Sequence, residues 1–90
     1  MSRELTRDVR ASQGELRALQ DSLYRLLSDS VSLLLRRADT SWDDYRRREC
    51  DAIRGAFTEG SVAPVAQMEC WVELTDDRSR FLRHEYNFAR

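Results

Sequence analysis

The sequence predicts an all-α fold, namely an antiparallel three-helix bundle with one long central helix. Three segments place apolar residues three and four positions apart, which is the spacing of one face of an α-helix. Two short breaks separate these segments, and no stretch alternates apolar and polar residues as a strand would. Short connections favour antiparallel packing of neighbouring helices. We therefore expect residues 1–90 to form a single helical domain.

The first helix is expected at about residues 3–27. Ser12 and Glu15 also form a capping-box pattern, so a helix that begins near residue 13 is an alternative. The apolar stripe of this helix consists of Leu5, Val9, Leu16, Leu19, Leu23 and Leu26.

The second helix, at about residues 31–58, has the most regular pattern. Ser28, Asp29 and Ser30 provide turn and N-cap chemistry before it, and no proline interrupts it. A helix of this length extends about 40 Å. Its core-facing stripe is expected to contain Leu34, Leu35, Ala38, Trp42, Tyr45, Glu49, Ala52, Ile53, Ala56 and Phe57.

The third helix is expected at about residues 63–88, after a stop at Gly60. Pro64 fits the first helical turn, with Ser61 or Val62 near the cap. Two adjacent apolar faces suit a helix that packs against two partners. The first face contains Met68, Trp71, Val72, Thr75, Leu82 and Tyr86, and the second contains Cys70, Leu74, Phe81 and Phe88.

The composition excludes several classes of function. Fifteen basic and sixteen acidic residues give a net charge of −1, so no bulk positive field favours nucleic acid or an anionic membrane. The longest apolar run, residues 33–35, is far too short to span a membrane. His84 is the single histidine, and with the two cysteines it matches no metal-ligand spacing; no nucleophile or phosphate-loop motif is present. We therefore predict a protein that is not an enzyme and needs no cofactor or metal.

The two cysteines, Cys50 and Cys70, stand at equal distances from residue 60, the expected centre of the second connection. Antiparallel helices joined there would place them at the same height, within the separation that a disulfide requires. We expect a disulfide between the second and third helices, worth about 3 kcal/mol; two separate buried thiols are the alternative. A disulfide implies an oxidising compartment, so we expect a periplasmic or secreted protein whose leader is absent from this chain.

The same height rule brings Trp42, Tyr45 and Arg46 level with Thr75 and Arg78. One interpretation is a packing layer in which an arginine lies over an aromatic ring. The other interpretation is a polar recognition patch that lies beside a surface of aromatic side chains. The sequence leaves both interpretations open.

Charged residues surround this layer. Arg46, Arg47 and Arg48 adjoin several carboxylates, which favours a solvated, salt-bridged helix face over a phosphate site. Two acidic pairs share one level and form a candidate acidic binding patch for a cationic partner: Asp43 with Asp44, and Asp76 with Asp77.

A spaced motif runs through the second and third helices. It consists of Trp42, Tyr45, Arg46, Glu49, Cys50, Gly60, Ser61, Pro64, Cys70, Thr75, Arg78 and Leu82. Its spacing over residues 38–82 resembles that of the LprI N-terminal family of lysozyme-inhibitor-like bacterial domains. Many members of that family carry a further N-terminal cysteine pair, which this chain lacks.

The resemblance implies a small exported helical domain of a bacterial envelope protein, some relatives of which inhibit lysozyme. It supplies no catalytic residues, and it leaves the oligomeric state open. The partner is therefore expected to be a protein, with a lysozyme as the candidate. A structural or scaffolding module of the envelope is one alternative. A cytoplasmic helical adaptor is another, if Met1 is the natural start.

Overall fold

The computed structural model of the protein describes residues 3–57 and 60–87, which form three α-helices and no strand. The helices are α1 (Arg3–Leu26), α2 (Asp29–Ala56) and α3 (Val62–Glu85). The predicted all-α, three-helix architecture is confirmed. The alternative start of the first helix near residue 13 is wrong, because α1 is continuous from Arg3 through Ser12 and Gly14. The predicted helix ends at residues 58 and 88, and the side chain of Phe88, lie outside the described residues.

The two connections are defined by local hydrogen bonds. Ser28 is the N-cap of α2, and its Oγ accepts a hydrogen bond from the backbone N–H of Val31 at 3.3 Å. At the other end, α2 stops earlier than predicted, because Phe57 adopts an extended conformation at φ −97° and ψ 120°. Pro64 is the third residue of α3 and therefore occupies its first turn, as predicted.

Helix α3 packs against both other helices, whereas α1 and α2 share a smaller contact. The expectation that α3 packs against two partners is therefore confirmed. Helix α2 is the longest, at 28 residues, and the described chain measures 47 × 23 × 16 Å along its principal axes. Contacts between α2 and α3 run in opposite order along the two helices: Asp39 with Arg78, Arg46 with Thr75, and Cys50 with Cys70.

The apolar core is a cluster of four leucines contributed by all three helices. Leu16 and Leu23 come from α1, Leu35 from α2 and Leu82 from α3, and all four are almost fully buried. Their burial contributes roughly 2 kcal/mol each to the hydrophobic stabilisation of the fold. The partly buried side chains packed around this cluster are Leu19, Tyr24, Leu27, Trp42 and Tyr86.

The buried stripe of α2 differs from the predicted one. Leu34, Tyr45 and Phe57 were expected to face the core, but they are 61%, 51% and 44% exposed. Leu35 is buried as predicted. The rest of the buried stripe is more polar, and Ser32, Asp39 and Arg46 in it recur every seven residues, which is the spacing of a helix seam. This stripe consists of Ser32, Leu35, Asp39, Arg46 and Cys50.

Two more apolar residues of the predicted stripes lie in solvent. Leu26 of α1 and Phe81 of α3 are each about half exposed. Leu26 is the last residue of its helix, beyond the seam formed by Leu16, Leu19 and Leu23. The predicted apolar stripes of α1 and α3 therefore included residues that lie outside the buried faces of these helices.

Candidate functional site

A disulfide joins α2 and α3 in the half of their interface that is nearer to the connecting turn. Cys50 and Cys70 are bonded, with their Cα atoms 5.6 Å apart, and neither cysteine of the chain is free. The predicted pairing is confirmed, and the alternative of two thiols is wrong. Close to the bridge, the Gln67 side chain accepts a hydrogen bond from Arg54 and donates one to Asp51, both at 2.8 Å. Covalent and polar contacts thus hold the same portions of the two helices together.

Arg46 lies at the junction of the three helices. The prediction of a solvated Arg46 is wrong: the residue is only 4% exposed. Its Nη1 donates to Gln13 of α1 and to Thr75 of α3, both at 2.8 Å, and its Nη2 donates to Asp43 at 2.7 Å. Burial lowers the pKa of the Arg46 guanidinium, and the charge of Asp43 opposes that shift. Arginine nevertheless stays protonated in proteins, so the group is a buried cation.

Two indole rings enclose the Arg46 guanidinium. Its central carbon lies 3.7 Å from the ring centroid of Trp71 and 4.5 Å from that of Trp42. The Arg78 guanidinium carbon lies 5.9 Å from the Trp42 ring and 5.5 Å from Phe81. Such cation–π contacts each contribute about 0.5–2 kcal/mol, more when desolvated. The structure thus contains a packing layer of the kind that the sequence allowed, with Trp71 as an additional ring and with Tyr45 exposed outside it.

A second polar junction also receives one side chain from each helix. Asp39 of α2 accepts hydrogen bonds from the Tyr24 hydroxyl of α1 and from Nη2 of Arg78, the latter at 2.8 Å. The Arg36 guanidinium lies 4.0 Å from the centroid of the Tyr24 ring. Burial, followed by the hydrogen bond to Asp39, raises the pKa of Tyr24 above its usual value.

Several residues of these junctions were missed by the sequence reasoning. Gln13 carried no signal, since an isolated glutamine in a helix is usually exposed. Asp39 did carry one, because it stands seven residues before Arg46 and seven after Ser32. That period marks the helix seam even where the side chains are polar.

The first predicted acidic pair makes ion pairs within its own helix. Asp43 pairs with Arg46, while Asp44 pairs with Arg47 at 2.5 Å and with Arg48 at 2.8 Å. The hydrogen bond from Arg48 is the largest cause that lowers the pKa of Asp44. Arg47 and Arg48 therefore form the salt-bridged, solvated face that the sequence predicted.

The second acidic pair lies on α3. Asp77 pairs with Arg80, three residues further along the helix. Asp76 is half-buried and belongs to a different stripe, since it follows Glu73 by three residues and Glu69 by seven. The four predicted aspartates thus do not carry equal amounts of uncompensated charge.

An open groove of about 430 Å³ lies between α2 and α3, and Cys70 of the disulfide forms part of its lining. This surface, called the α2–α3 groove below, has apolar and acidic parts. Tyr45, Ile53, Phe57 and Leu74 supply its apolar part. Its acidic residues are Glu49, Glu69 and Glu73, all of them exposed.

The family of the chain follows from a comparison with known protein families. Residues 1–82 match the family described as lysozyme inhibitor LprI. The chain belongs to this family. The match confirms the resemblance carried by residues 38–82 and extends it through α1. No curated protein sequence and no solved structure matches the chain.

The LprI motif residues fall into three groups in the structure. Those that hold the helices together are buried or half-buried, whereas Tyr45 and Glu49 are exposed in the α2–α3 groove. Gly60 and Ser61 form the exposed turn before α3. The residues of the first group are Trp42, Arg46, Cys50, Cys70, Thr75, Arg78 and Leu82, while Pro64 is half-buried in the first turn of α3.

Two further features bear on the LprI chain. Across residues 3–57 and 60–87, no three His, Cys, Asp or Glu side chains lie together as a metal site would require. None of the described helices is both long enough and apolar enough to cross a membrane.

Proposed function

We propose that this protein is a non-enzymatic, exported domain that binds a lysozyme and inhibits it. The observation that carries the proposal is the match to the LprI family over residues 1–82. The match includes all of α1 and α2 and nearly all of α3, so it concerns the whole bundle.

Export is supported by the disulfide. Structural disulfides form and persist in oxidising compartments, and they are rare where thiols are kept reduced. The Cys50–Cys70 bond therefore favours a periplasmic or secreted location. A cytoplasmic adaptor would require these two thiols to be reduced.

Acidic surface side chains support a cationic target. Lysozymes are basic proteins, and complementary charge at an interface accelerates association and selects partners. The candidate acidic patch of Asp43, Asp44, Asp76 and Asp77 remains part of this proposal. Because three of these aspartates are paired with arginines, Asp76 is the member whose charge is most available to a partner.

The proposal is tested by residual muramidase activity against a panel of lysozymes, with the folded and oxidised protein as the titrant. Dose-dependent inhibition that weakens as salt rises is the expected result, because exposed charges are screened over about 8 Å at physiological ionic strength. Asp76→Lys with Asp77→Lys should weaken inhibition while the circular dichroism spectrum stays helical. Failure to inhibit every lysozyme of the panel would remove the proposed function.

A scaffolding module of the bacterial envelope is the second candidate, and a separate apolar surface favours it. Four exposed aliphatic side chains lie in the last turn of α1 and the first two turns of α2, and none of them lines the α2–α3 groove. Such surfaces occur at protein-binding sites. If lysozyme binding is absent, binding through this surface becomes the better account. Its residues are Leu26, Val31, Leu33 and Leu34.

A further inference from the structure

We propose that the α2–α3 groove is the docking surface for the target, and that it takes an apolar side chain of a basic protein with cationic side chains around it. This inference rests on the proposed function, which it deepens by naming the surface and the chemistry of the partner. It differs from the patch of four aspartates, of which none lines the groove.

The apolar part of the groove has the composition of an interface centre. Tyr45 and Phe57 are about half exposed although both are large, and Ile53 and Leu74 add half-buried aliphatic lining. Aromatic side chains in a concave apolar surface are typical of residues that dominate binding energy. The groove can therefore enclose an apolar side chain of the partner.

The acidic part of the groove carries uncompensated charge. Glu49, Glu69 and Glu73 make no ion pair within the described part of the chain, in contrast to Asp43 and Asp44. The groove is lined by no basic side chain of the described residues. Although the net charge of the protein is only −1, this surface therefore presents a local negative potential. A partner with arginine or lysine side chains complements it.

The disulfide keeps the two walls of the groove at a constant separation. Cys70 lines the groove and is bonded to Cys50 of the opposite helix. A preformed surface loses less conformational entropy on binding than a mobile one, so more of the contact energy appears as affinity. Reduction of the disulfide is therefore expected to weaken binding of the partner at reductant concentrations where the helices are still folded.

The experiment compares charge and apolar variants of the groove with matched controls. Glu69→Lys with Glu73→Lys should raise the Kd for an inhibited lysozyme by about tenfold or more, measured by titration calorimetry at low salt. Glu4→Lys with Asp8→Lys, which reverses two exposed charges four residues apart on α1, is the control and should change the Kd by less than about twofold. In both variants the circular dichroism spectrum reports whether the bundle is intact.

The apolar half of the proposal has its own pair of variants. Tyr45→Ala should weaken lysozyme binding by about tenfold, because truncation of an aromatic anchor removes a large apolar contact. Phe81→Ala, a matched truncation of a half-exposed aromatic side chain outside the groove, should leave the Kd unchanged. Equal affinities for Tyr45→Ala and Phe81→Ala would overturn the assignment of the apolar contact.

The results separate the groove from the function. If the wild-type protein inhibits a lysozyme and the groove variants inhibit equally well, the groove inference is wrong and the proposed function stands. If the wild type binds no lysozyme, the proposed function is wrong. A short peptide with one phenylalanine between arginines then tests whether the groove binds such side chains. Peptide-induced NMR shift changes confined to the groove residues would support the groove inference. Shift changes elsewhere, or no changes, would overturn the groove inference.

Discussion

Single residues explain how a charged side chain can occupy the interior of so small a bundle. The planar guanidinium of Arg46 donates hydrogen bonds to three side-chain oxygens and lies against the rings of Trp42 and Trp71. Arginine suits this position because its fork directs several donors at once and because it is more weakly hydrated than an ammonium group. A lysine at the same position would have neither property.

Truncation of this side chain should be costly. Arg46→Ala is expected to lower the free energy of unfolding by about 3 kcal/mol, since it leaves the buried hydroxyl of Thr75 without its donor and opens a space beside two indoles. Arg47→Ala, which removes an exposed ion pair next to it, should change stability by less than about 0.5 kcal/mol. Urea unfolding monitored by circular dichroism provides both values. Similar values for the two variants would mean that the Arg46 contacts contribute no net stability.

A second residue makes stability depend on pH. The pKa of Tyr24 is raised by burial and by its hydrogen bond to Asp39, whereas tyrosines of the unfolded chain titrate near pH 10. The folded state therefore retains the Tyr24 proton to higher pH than the unfolded state does. The corresponding stability is complete below about pH 10 and falls as the pH rises above it.

Alkaline urea unfolding tests this linkage. Between about pH 9 and about pH 11, the wild-type protein should lose more stability than Tyr24→Phe, which has no phenolic proton to release. The difference between the two proteins at each pH isolates Tyr24 from the other titrating groups. Parallel pH profiles would show that the hydroxyl contributes no proton linkage.

At the scale of the helices, the N-cap residues of α2 and α3 differ in their hydrogen bonding. Ser28 accepts a hydrogen bond from the N–H of Val31, whereas Ser61 occupies the N-cap of α3 without a side-chain hydrogen bond. Ser28→Ala should therefore cost about 1 kcal/mol, and Ser61→Ala clearly less. Equilibrium unfolding of the two single variants compares the same substitution in two geometries. A larger loss for Ser61→Ala would contradict the role of the cap bond.

The helices also show what periodicity can and cannot predict. The three elements, the first-turn position of Pro64 and the level of the two cysteines follow from spacing and local propensity, which act along the chain. The face of α2 that turns toward the core does not follow from spacing and propensity, because Asp39 and Arg46 are buried through partners that belong to other helices. A stripe chosen by apolar residues alone was therefore rotated away from the true seam, toward Leu34 and Tyr45.

The same limit applies to the candidate site. The family motif contains Tyr45 and Glu49, yet nothing in its spacing distinguishes residues that pack from residues that face a groove. Glu69 and Glu73 were not singled out, although their four-residue spacing places them on one helix face. Their significance depends on the groove between α2 and α3, which is a property of the packed helices and not of either sequence segment.

At the scale of the whole molecule, the helices are tied together mainly through α3. Helices α1 and α2 share the smaller contact. In each polar junction one α2 side chain, Arg46 or Asp39, binds a residue of α1 directly and also binds α3, through Thr75 in one junction and Arg78 in the other. A domain of this size has a small free energy of unfolding, because it buries a modest fraction of its surface. The loss of one tie between α2 and α3 should therefore affect the entire bundle.

The disulfide is the tie that can be removed without changing any other side chain. The Cys50–Cys70 bond closes a loop with a sequence separation of 20, for which the chain-entropy relation gives about 3 kcal/mol. Reduction should lower the free energy of unfolding by this amount while the helical spectrum at low denaturant persists, since the core leucines and both polar junctions are independent of the bond. Cys50→Ser with Cys70→Ser should reproduce the loss and no longer respond to reductant. If reduced and oxidised proteins unfold at the same urea concentration, the loop between α2 and α3 is already ordered in the unfolded chain, or the bond stores strain equal to its entropic benefit.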